Sequence, residues 1–146
     1  MSATTTAQTV QVYNIYIRAT PEQIWDAITK PEFTERYFHG VRISVVGDER
    51  TSRMGDVTWS EPVLEADPPR RLVHGWTSYY DDEMAAEAQS RVTWEIEEQD
   101  GGYSLLTVTH DQLDGAPKTA AGVAGTGWMG VLSNLKSFLE TGDPLF

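Results

Sequence analysis

The side chains in this chain best suited to acid–base chemistry are its three histidines, because the sequence contains no cysteine. An imidazole titrates near neutral pH, so it can move a proton or hydrogen-bond a ligand. His110 shares strand parity with Leu106 and Val108, which predicts that it points toward the apolar face of a sheet. The same position suits a histidine satisfied by a neighbouring backbone group or a water. A structural role therefore stays open beside a catalytic one.

The other two histidines give weaker signals. His74 has the parity of Leu72 and Trp76, although either face of its strand is apolar enough to receive it. His39 is expected just after a short helix, near the mouth of a cavity. The three histidines lack the HxH or HExxH spacing of a zinc site. We therefore expect no metal ion and no other cofactor.

Other catalytic and binding patterns are missing from the sequence. No serine lies in a GxSxG nucleophile elbow, and the glycines of residues 122–130 follow no strand, unlike a phosphate-binding loop. Twenty-two Asp and Glu against eleven Lys and Arg give a formal net charge of −11, which argues against nucleic-acid binding. No apolar run reaches the ~20 residues of a membrane-spanning helix. Residues 1–9 are expected to form a disordered polar tail, and the protein to be cytoplasmic.

Aromatic side chains supply the expected walls of a binding site. Trp25 and Trp94 are assigned to the core, whereas other rings at strand centres or on the last helix are expected to border a cavity. With the two inward histidines and their apolar neighbours, these rings form the predicted ligand-binding set: His74, Trp76, Trp59, Tyr79, Val108, His110, Trp128, Met129 and Leu132. Plain core packing is the alternative role for each of them.

A strand register can be proposed for the region around His110. The turn at residues 99–102 places Val92 opposite His110, with Trp76 on the strand beyond. With strands ~4.8 Å apart, Trp76 and His110 are then expected to flank a ligand from about 10 Å.

The elements that position these residues begin with a strand over residues 10–17, which alternates apolar and polar side chains. Thr20 is suited to cap the following helix, with Pro21 at its first position and Gln23 at its third. A second short helix is predicted over residues 33–38.

One long helix closes the chain. It is predicted to end at Gly142, because the apolar residues before that glycine recur at helical spacing: Trp128, Val131, Leu132, Leu135 and Leu139. Residues 80–89 form a polar loop or a helical turn in this interpretation, and residues 115–127 are loose. The region between the second short helix and the last helix carries six predicted strands, over residues 41–45, 54–60, 62–66, 72–79, 92–96 and 104–110. About seven strands and three helices in this order are typical of an α+β fold.

This order resembles the helix-grip fold of the START-like (SRPBCC) superfamily, in which a curved antiparallel sheet of about seven strands wraps around a long C-terminal helix. Three stretches, at residues 19–40, 63–77 and 104–113, resemble the bacterial homologues of the C-terminal domain of the heat-shock-chaperone ATPase activator, which are related to polyketide cyclases. The resemblance covers nearly all of residues 10–146, which we expect to form a single domain.

The resemblance implies an apolar cavity between sheet and long helix but no invariant catalytic set. We therefore expect the chain to bind a hydrophobic or aromatic small molecule in that cavity. One alternative is an enzyme of cyclase, dehydratase or hydrolase type that uses His110 for acid–base chemistry, with His74 or a tyrosine. Another, suggested only by the family resemblance, is a chaperone-associated protein partner. A homodimer through an edge strand or the long helix is also possible.

Overall fold

The structure is a computed structural model that describes residues 9–124 and 126–146. Residues 1–8, nearly all of the predicted disordered tail, lie outside the described residues. The elements in chain order are β1 (Gln11–Ile17), α1 (Pro21–Thr29), α2 (Pro31–Tyr37), β2 (Arg42–Val46), β3 (Glu49–Met54), β4 (Val57–Asp67), β5 (Arg71–Trp76), α3 (Asp82–Ala85), β6 (Ser90–Gln99), β7 (Tyr103–Asp111), α4 (Pro117–Val123) and α5 (Thr126–Thr141).

The seven strands form one antiparallel sheet in the order β1-β7-β6-β5-β4-β3-β2. The chain returns from β7 to pair with its own first strand, so β1 and β2 are the two edges. This sheet, with two short helices after β1 and a long helix at the end, confirms the predicted α+β helix-grip architecture. No helix within the described residues is both long and apolar enough to span a membrane.

The start of α1 follows the predicted capping pattern. The Thr20 hydroxyl accepts the backbone N–H of Gln23, and the Gln23 side chain accepts the backbone N–H of Thr20. This capping box satisfies two donors that a helix start otherwise leaves unpaired. It fixes where β1 turns into the helical segment that covers one end of the sheet.

The segment between β2 and β5 differs from its prediction. Strands were expected over residues 54–60 and 62–66, but β3 already ends at Met54, and one continuous strand, β4, follows. Gly55 adopts a positive φ of 60° and starts the turn between them. Such a backbone conformation suits glycine, which lacks a Cβ. The six residues of β3, ERTSRM, have no apolar alternation, so the sequence pattern did not predict this strand.

Pro62 lies within β4, although the sequence predicted separate strands over residues 54–60 and 62–66, with Pro62 at the start of the second. It pairs with Glu49, the first residue of β3, and a register shift between Val63 and Glu65 follows directly. A proline is tolerated at such a position, because the missing N–H falls where the ladder is already irregular.

The helical segments before α5 also differ in part from their prediction. α3 forms within the predicted polar loop, but α4 was expected to be loose. Its N-cap residue Ala116 provides no side-chain cap; instead the Glu87 carboxylate accepts the N–H groups of Lys118 and Thr119, at 2.7 and 2.9 Å. Because this cap comes from a residue about thirty positions away, no local pattern predicts it.

Different helices pack on the two ends of the sheet. α5 packs on β1 and on α1, α2 and α4, and its Trp128, Leu132 and Leu135 are buried. α2 packs on β2 instead. The part of the sheet formed by β2, β3 and β4 is thus covered by α2 and the segment after β5 rather than by α5, which decides where open space is left.

Candidate ligand-binding site

Two adjoining cavities lie on the inner face of the sheet. The first, which we call the sheet cavity, has a volume of about 270 Å³ and lies over β2, β3 and β4. The second, the helix cavity, has a volume of about 360 Å³ and lies against α4 and α5. The two share four lining residues: Phe38, His39, Trp76 and Tyr80.

The sheet cavity combines aromatic walls with a charged floor. Trp59 and Tyr79 form a tilted pair with ring centroids 5.2 Å apart, and Phe38 and Trp76 form another at 6.3 Å. On the floor, Arg50 and Glu61 are direct cross-strand partners of β3 and β4. Apolar walls with a few placed polar groups are the usual composition of small-molecule sites.

The floor pair is an ion pair within an apolar environment. Arg50 Nη1 donates to Glu61 Oε1 at 3.2 Å, and both side chains are almost fully buried. The second carboxylate oxygen, Oε2, accepts the backbone N–H of Thr77 at 3.0 Å. The guanidinium carbon of Arg50 lies 5.4 Å from the ring centroid of Trp76, in a cation–π arrangement.

Burial is the dominant influence on the protonation of this pair. It raises the pKa of Glu61 and lowers that of Arg50, since each charged form is removed from water. The opposite charge of the partner acts against burial in both cases, because it favours the two charged forms together. Such a pair is costly to separate, which keeps Arg50 and Glu61 in place on the cavity floor.

The mouth of the sheet cavity lies where its lining residues become exposed. Met54 and Val57 flank the β3–β4 turn, and Tyr79 and Tyr80 follow β5; all four are 45–72% exposed. Ser52, by contrast, is buried on the same β3 face as Arg50. The cavity therefore runs from an exposed apolar rim to a buried polar floor.

A histidine–tryptophan cluster lies next to the lining residues that the two cavities share. It is formed by His74, Trp76, Trp94, His110 and Trp128. The indole N–H of Trp94 donates to Nε2 of His74 at 2.9 Å, and that of Trp128 donates to Nδ1 of His110 at 3.0 Å. The ring centroids of Trp128 lie 5.5 Å from Trp76 and 5.4 Å from Trp94. These contacts make one continuous packed layer between sheet and α5.

Both histidines in this cluster are held neutral in defined tautomers. His74 accepts at Nε2, so its Nδ1–H donates to the Gly75 carbonyl at 2.7 Å. His110 accepts at Nδ1, so its Nε2–H donates to the Ser90 hydroxyl at 2.8 Å. Burial lowers the pKa of His110 to about 4 and that of His74 well below its ordinary value. Each ring nitrogen thus already has a partner.

The structure separates the predicted ligand-binding set into three groups. Trp59, Trp76 and Tyr79 line the sheet cavity, and Trp128 lines the helix cavity with Trp76. Met129 is half-exposed, on the side of α5 away from the core. The remaining members are fully buried in the core and line neither cavity: His74, Val108, His110 and Leu132.

The expected register around His110 is correct in one pair and shifted in the other. Val92 lies opposite His110, as predicted, but its partner on β5 is His74, and Trp76 pairs with Ser90. The rings of Trp76 and His110 are 5.5 Å apart rather than about 10 Å. They touch each other, so no ligand fits between them.

The remaining predictions for single side chains can be placed as well. Trp94 is buried in the core as expected. Trp25 packs against the core and is partly exposed. His39 lines both cavities, close to the predicted mouth. Among the described residues, no group of three or more His, Asp or Glu side chains is arranged to hold a metal ion.

Sequence reasoning missed Arg50, Ser52 and Glu61. The signal that would have found them is the turn at Gly55, because a tight hairpin there pairs residues whose numbers sum to a constant. Met54 opposite Val57 then requires Arg50 opposite Glu61, an oppositely charged cross-strand pair. The predicted strand over residues 54–60 ran through this turn and concealed the pair.

The antiparallel sheet, the paired short helices and the long last helix, with cavities on the inner sheet face, define a helix-grip protein of the START-like superfamily. The family model described as "Activator of Hsp90 ATPase homolog 1-like protein" matches residues 18–140. The chain belongs to this family, which confirms the resemblance read from residues 19–40, 63–77 and 104–113. No curated protein matches the sequence.

Solved structures with low sequence identity share the fold. A protein from Mesorhizobium loti is 23% identical, with a TM-score of 0.73 over 92% of this chain and 98% of its own. The Aha1 dimer from Colwellia psychrerythraea is 20% identical, with a TM-score of 0.71 over 92% and 98%. An HSP90 activator from Plasmodium falciparum is 17% identical, with a TM-score of 0.72 over 94% and 99%.

Proposed function

We propose that this protein binds a hydrophobic, aromatic small molecule in the sheet cavity. The observation that carries the proposal is the composition of that cavity: five Phe, Trp and Tyr rings and several aliphatic side chains surround a buried ion pair. An apolar ligand would displace water from these walls, which is the dominant driving force for burial of apolar surface. The helix cavity, which shares a wall with it, offers room for a longer ligand.

The size of the sheet cavity supports a compact ligand. Its volume of about 270 Å³ lies near the lower end of small-molecule sites, which span ~300–1,000 Å³. The tilted Trp59–Tyr79 pair at the mouth presents ring faces and edges that suit another aromatic ring. A one- or two-ring compound is therefore the ligand class that we expect.

The geometry of His110 favours binding over the acid–base alternative. A general base must reach the proton that it abstracts. Both nitrogens of His110 are engaged, by Trp128 and Ser90, and the ring is fully buried in the core. Its pKa of about 4 also lies far from neutral pH, where an acid–base catalyst is most effective.

Filling the sheet cavity tests this proposal. Ser52→Leu adds apolar volume at a buried lining position, so we expect the affinity for an aromatic compound to fall at least tenfold. Thr51→Leu is the matched control, because Thr51 is the adjacent residue of β3, faces the other side of the sheet and lies against Ser60. Calorimetric titration of both variants and the unmodified protein with acetylnaphthalene measures the difference.

Two outcomes contradict the proposal. One is equal affinity in Ser52→Leu and Thr51→Leu, which places the ligand elsewhere. The other is no binding of any aromatic compound by the unmodified protein, together with native mass spectra that show only the bare chain. A co-purifying mass that disappears on unfolding supports the proposal directly.

Self-association is a secondary proposal, supported by the exposed edge strand β1. Val12 and Tyr16 project from its outer face and are each more than half exposed. A second copy could pair with this free edge, since unpaired strand edges are templates for association. Sedimentation velocity over a range of concentrations should detect a dimer that Val12→Lys abolishes, whereas a monomer at every concentration contradicts it.

A further inference from the structure

The guanidinium of Arg50 has donors that the protein itself does not use. Among the described residues, its hydrogen bond to Glu61 is made by Nη1 alone. An arginine carries five N–H donors in a fixed planar arrangement. Among the described residues, every side-chain nitrogen or oxygen that is fully removed from solvent has a hydrogen-bond partner. The unused donors of Arg50 are therefore open to the sheet cavity, which Arg50 lines.

Ser52 adds a second polar atom at the same depth. It follows Arg50 by two positions on β3, so both side chains point to the same face of the sheet. Its hydroxyl makes no hydrogen bond with a described residue and also lines the sheet cavity. The floor therefore offers strong N–H donors beside a hydroxyl that can donate or accept.

We infer that the ligand of the sheet cavity carries an uncharged hydrogen-bond acceptor, a ketone or phenol oxygen, that binds the free N–H groups of Arg50. This inference rests on the proposed function and specifies its ligand class. A hydrogen bond from a charged donor is among the stronger ones, particularly where water is excluded. An acceptor on the ligand is thus the group that the buried floor recognises.

The charges around Arg50 select an uncharged acceptor over a carboxylate. Glu61 already neutralises the guanidinium and is fixed to it and to the backbone of Thr77. A ligand carboxylate would place a second negative charge beside Glu61 in a site where charges are poorly solvated. The formal net charge of −11 adds a long-range repulsion of anions. A ketone or phenol avoids both penalties.

The cavity also sets the orientation of such a ligand. Arg50 lies over the ring of Trp76 at the floor, whereas the Trp59–Tyr79 pair lies toward the mouth. An acceptor on Arg50 therefore directs the aromatic body outward, between the rings of the two tilted pairs. The ligand enters with its polar end first.

Three probes with the same two-ring body test this inference: acetylnaphthalene has an uncharged acceptor, ethylnaphthalene has none, and naphthoate is an anion. We expect acetylnaphthalene to bind the full chain about tenfold to a hundredfold more tightly than ethylnaphthalene, and also more tightly than naphthoate. In the double variant Arg50→Met/Glu61→Leu, which replaces the pair by apolar side chains of similar size, this preference should disappear. Titration calorimetry at neutral pH measures all six affinities.

The outcomes separate the inference from the proposed function. If ethylnaphthalene and acetylnaphthalene bind the unmodified protein equally, the cavity is occupied but Arg50 does not recognise the ligand. If naphthoate binds most tightly, the selection of an uncharged group is wrong. A preference that survives in the double variant also overturns the inference. If no probe binds, the proposed function itself fails.

Discussion

Glu61→Leu is expected to lower the free energy of unfolding by about 3–5 kcal/mol, because it leaves the guanidinium of Arg50 buried without its partner. The carboxylate also accepts the backbone N–H of Thr77, so this donor loses its acceptor as well. Domains of this size are stable by only about 5–15 kcal/mol. A urea unfolding curve should therefore show a clearly lower midpoint for the variant. The comparison is valid if the unfolding free energies of both proteins fall with urea concentration at the same slope, as two-state unfolding requires.

Two further variants show that this loss comes from an unpaired buried charge. In Arg50→Met/Glu61→Leu no charge is left behind, so most of the stability should return. Glu65→Leu makes the same substitution on the same strand, but Glu65 pairs with Arg71 where both side chains are about half exposed, and about 1 kcal/mol or less is expected. A loss in Glu61→Leu no larger than that in Glu65→Leu would show that water reaches the Arg50–Glu61 pair.

Mild acid is expected to destabilise the fold through the histidine–tryptophan cluster. The pKa of His110 falls from its ordinary 6.5 to about 4 on folding. Between these values the unfolded chain binds a proton that the folded protein excludes, so stability falls as the pH decreases through this window. For His110 the loss from pH 7 to pH 5 amounts to about 2 kcal/mol. His74 acts in the same direction, since burial also lowers its pKa.

A variant that cannot titrate at this position isolates the effect. His110→Asn keeps an acceptor for the indole N–H of Trp128 but has no group that binds a proton in this range. Its unfolding free energy should fall by about 2 kcal/mol less than that of the unmodified protein between pH 7 and pH 5. Glu61, whose raised pKa works in the opposite direction, is present in both proteins and cancels in the difference.

Nuclear magnetic resonance gives an independent measurement of the same group. The carbon-bound ring protons of His110 in the folded protein should keep the shifts of a neutral imidazole down to about pH 5, given a pKa of about 4. A titration near pH 6.5 would contradict the buried, hydrogen-bonded arrangement. It would also restore support for His110 as an acid–base group.

Much of the fold could be read from the sequence because local signals and final structure agree. The capping residues Thr20, Pro21 and Gln23 start α1 as predicted, since a capping box depends only on neighbours in the chain. β6 and β7 alternate clearly on either side of a glycine turn, so Val92, Trp94 and Ile96 face inward as expected. Gly142, with a positive φ of 91°, follows α5 directly.

The sequence analysis did not predict β3 or α4. β3 contains one apolar residue, Met54, and no apolar alternation, and it is a strand because it pairs with β2 and β4 on both sides. α4 is capped by Glu87, which belongs to a segment far away in the chain. Only the cap of α4 lies outside a local sequence window; β3 was missed because the strand predicted over residues 54–60 ran through the turn at Gly55.

By itself, the sequence determined most of the elements, the family and which face of most strands is buried, because period-two and helical spacing specify burial directly. Only the tertiary structure decided which inward side chains border open space. His110 and Trp59 both point inward, yet α5 brings Trp128 onto His110, whereas the part of the sheet beneath Trp59 is not covered by α5. Whether an inward side chain fills the core or lines a cavity depends on the packing of a distant helix, which strand alternation does not encode.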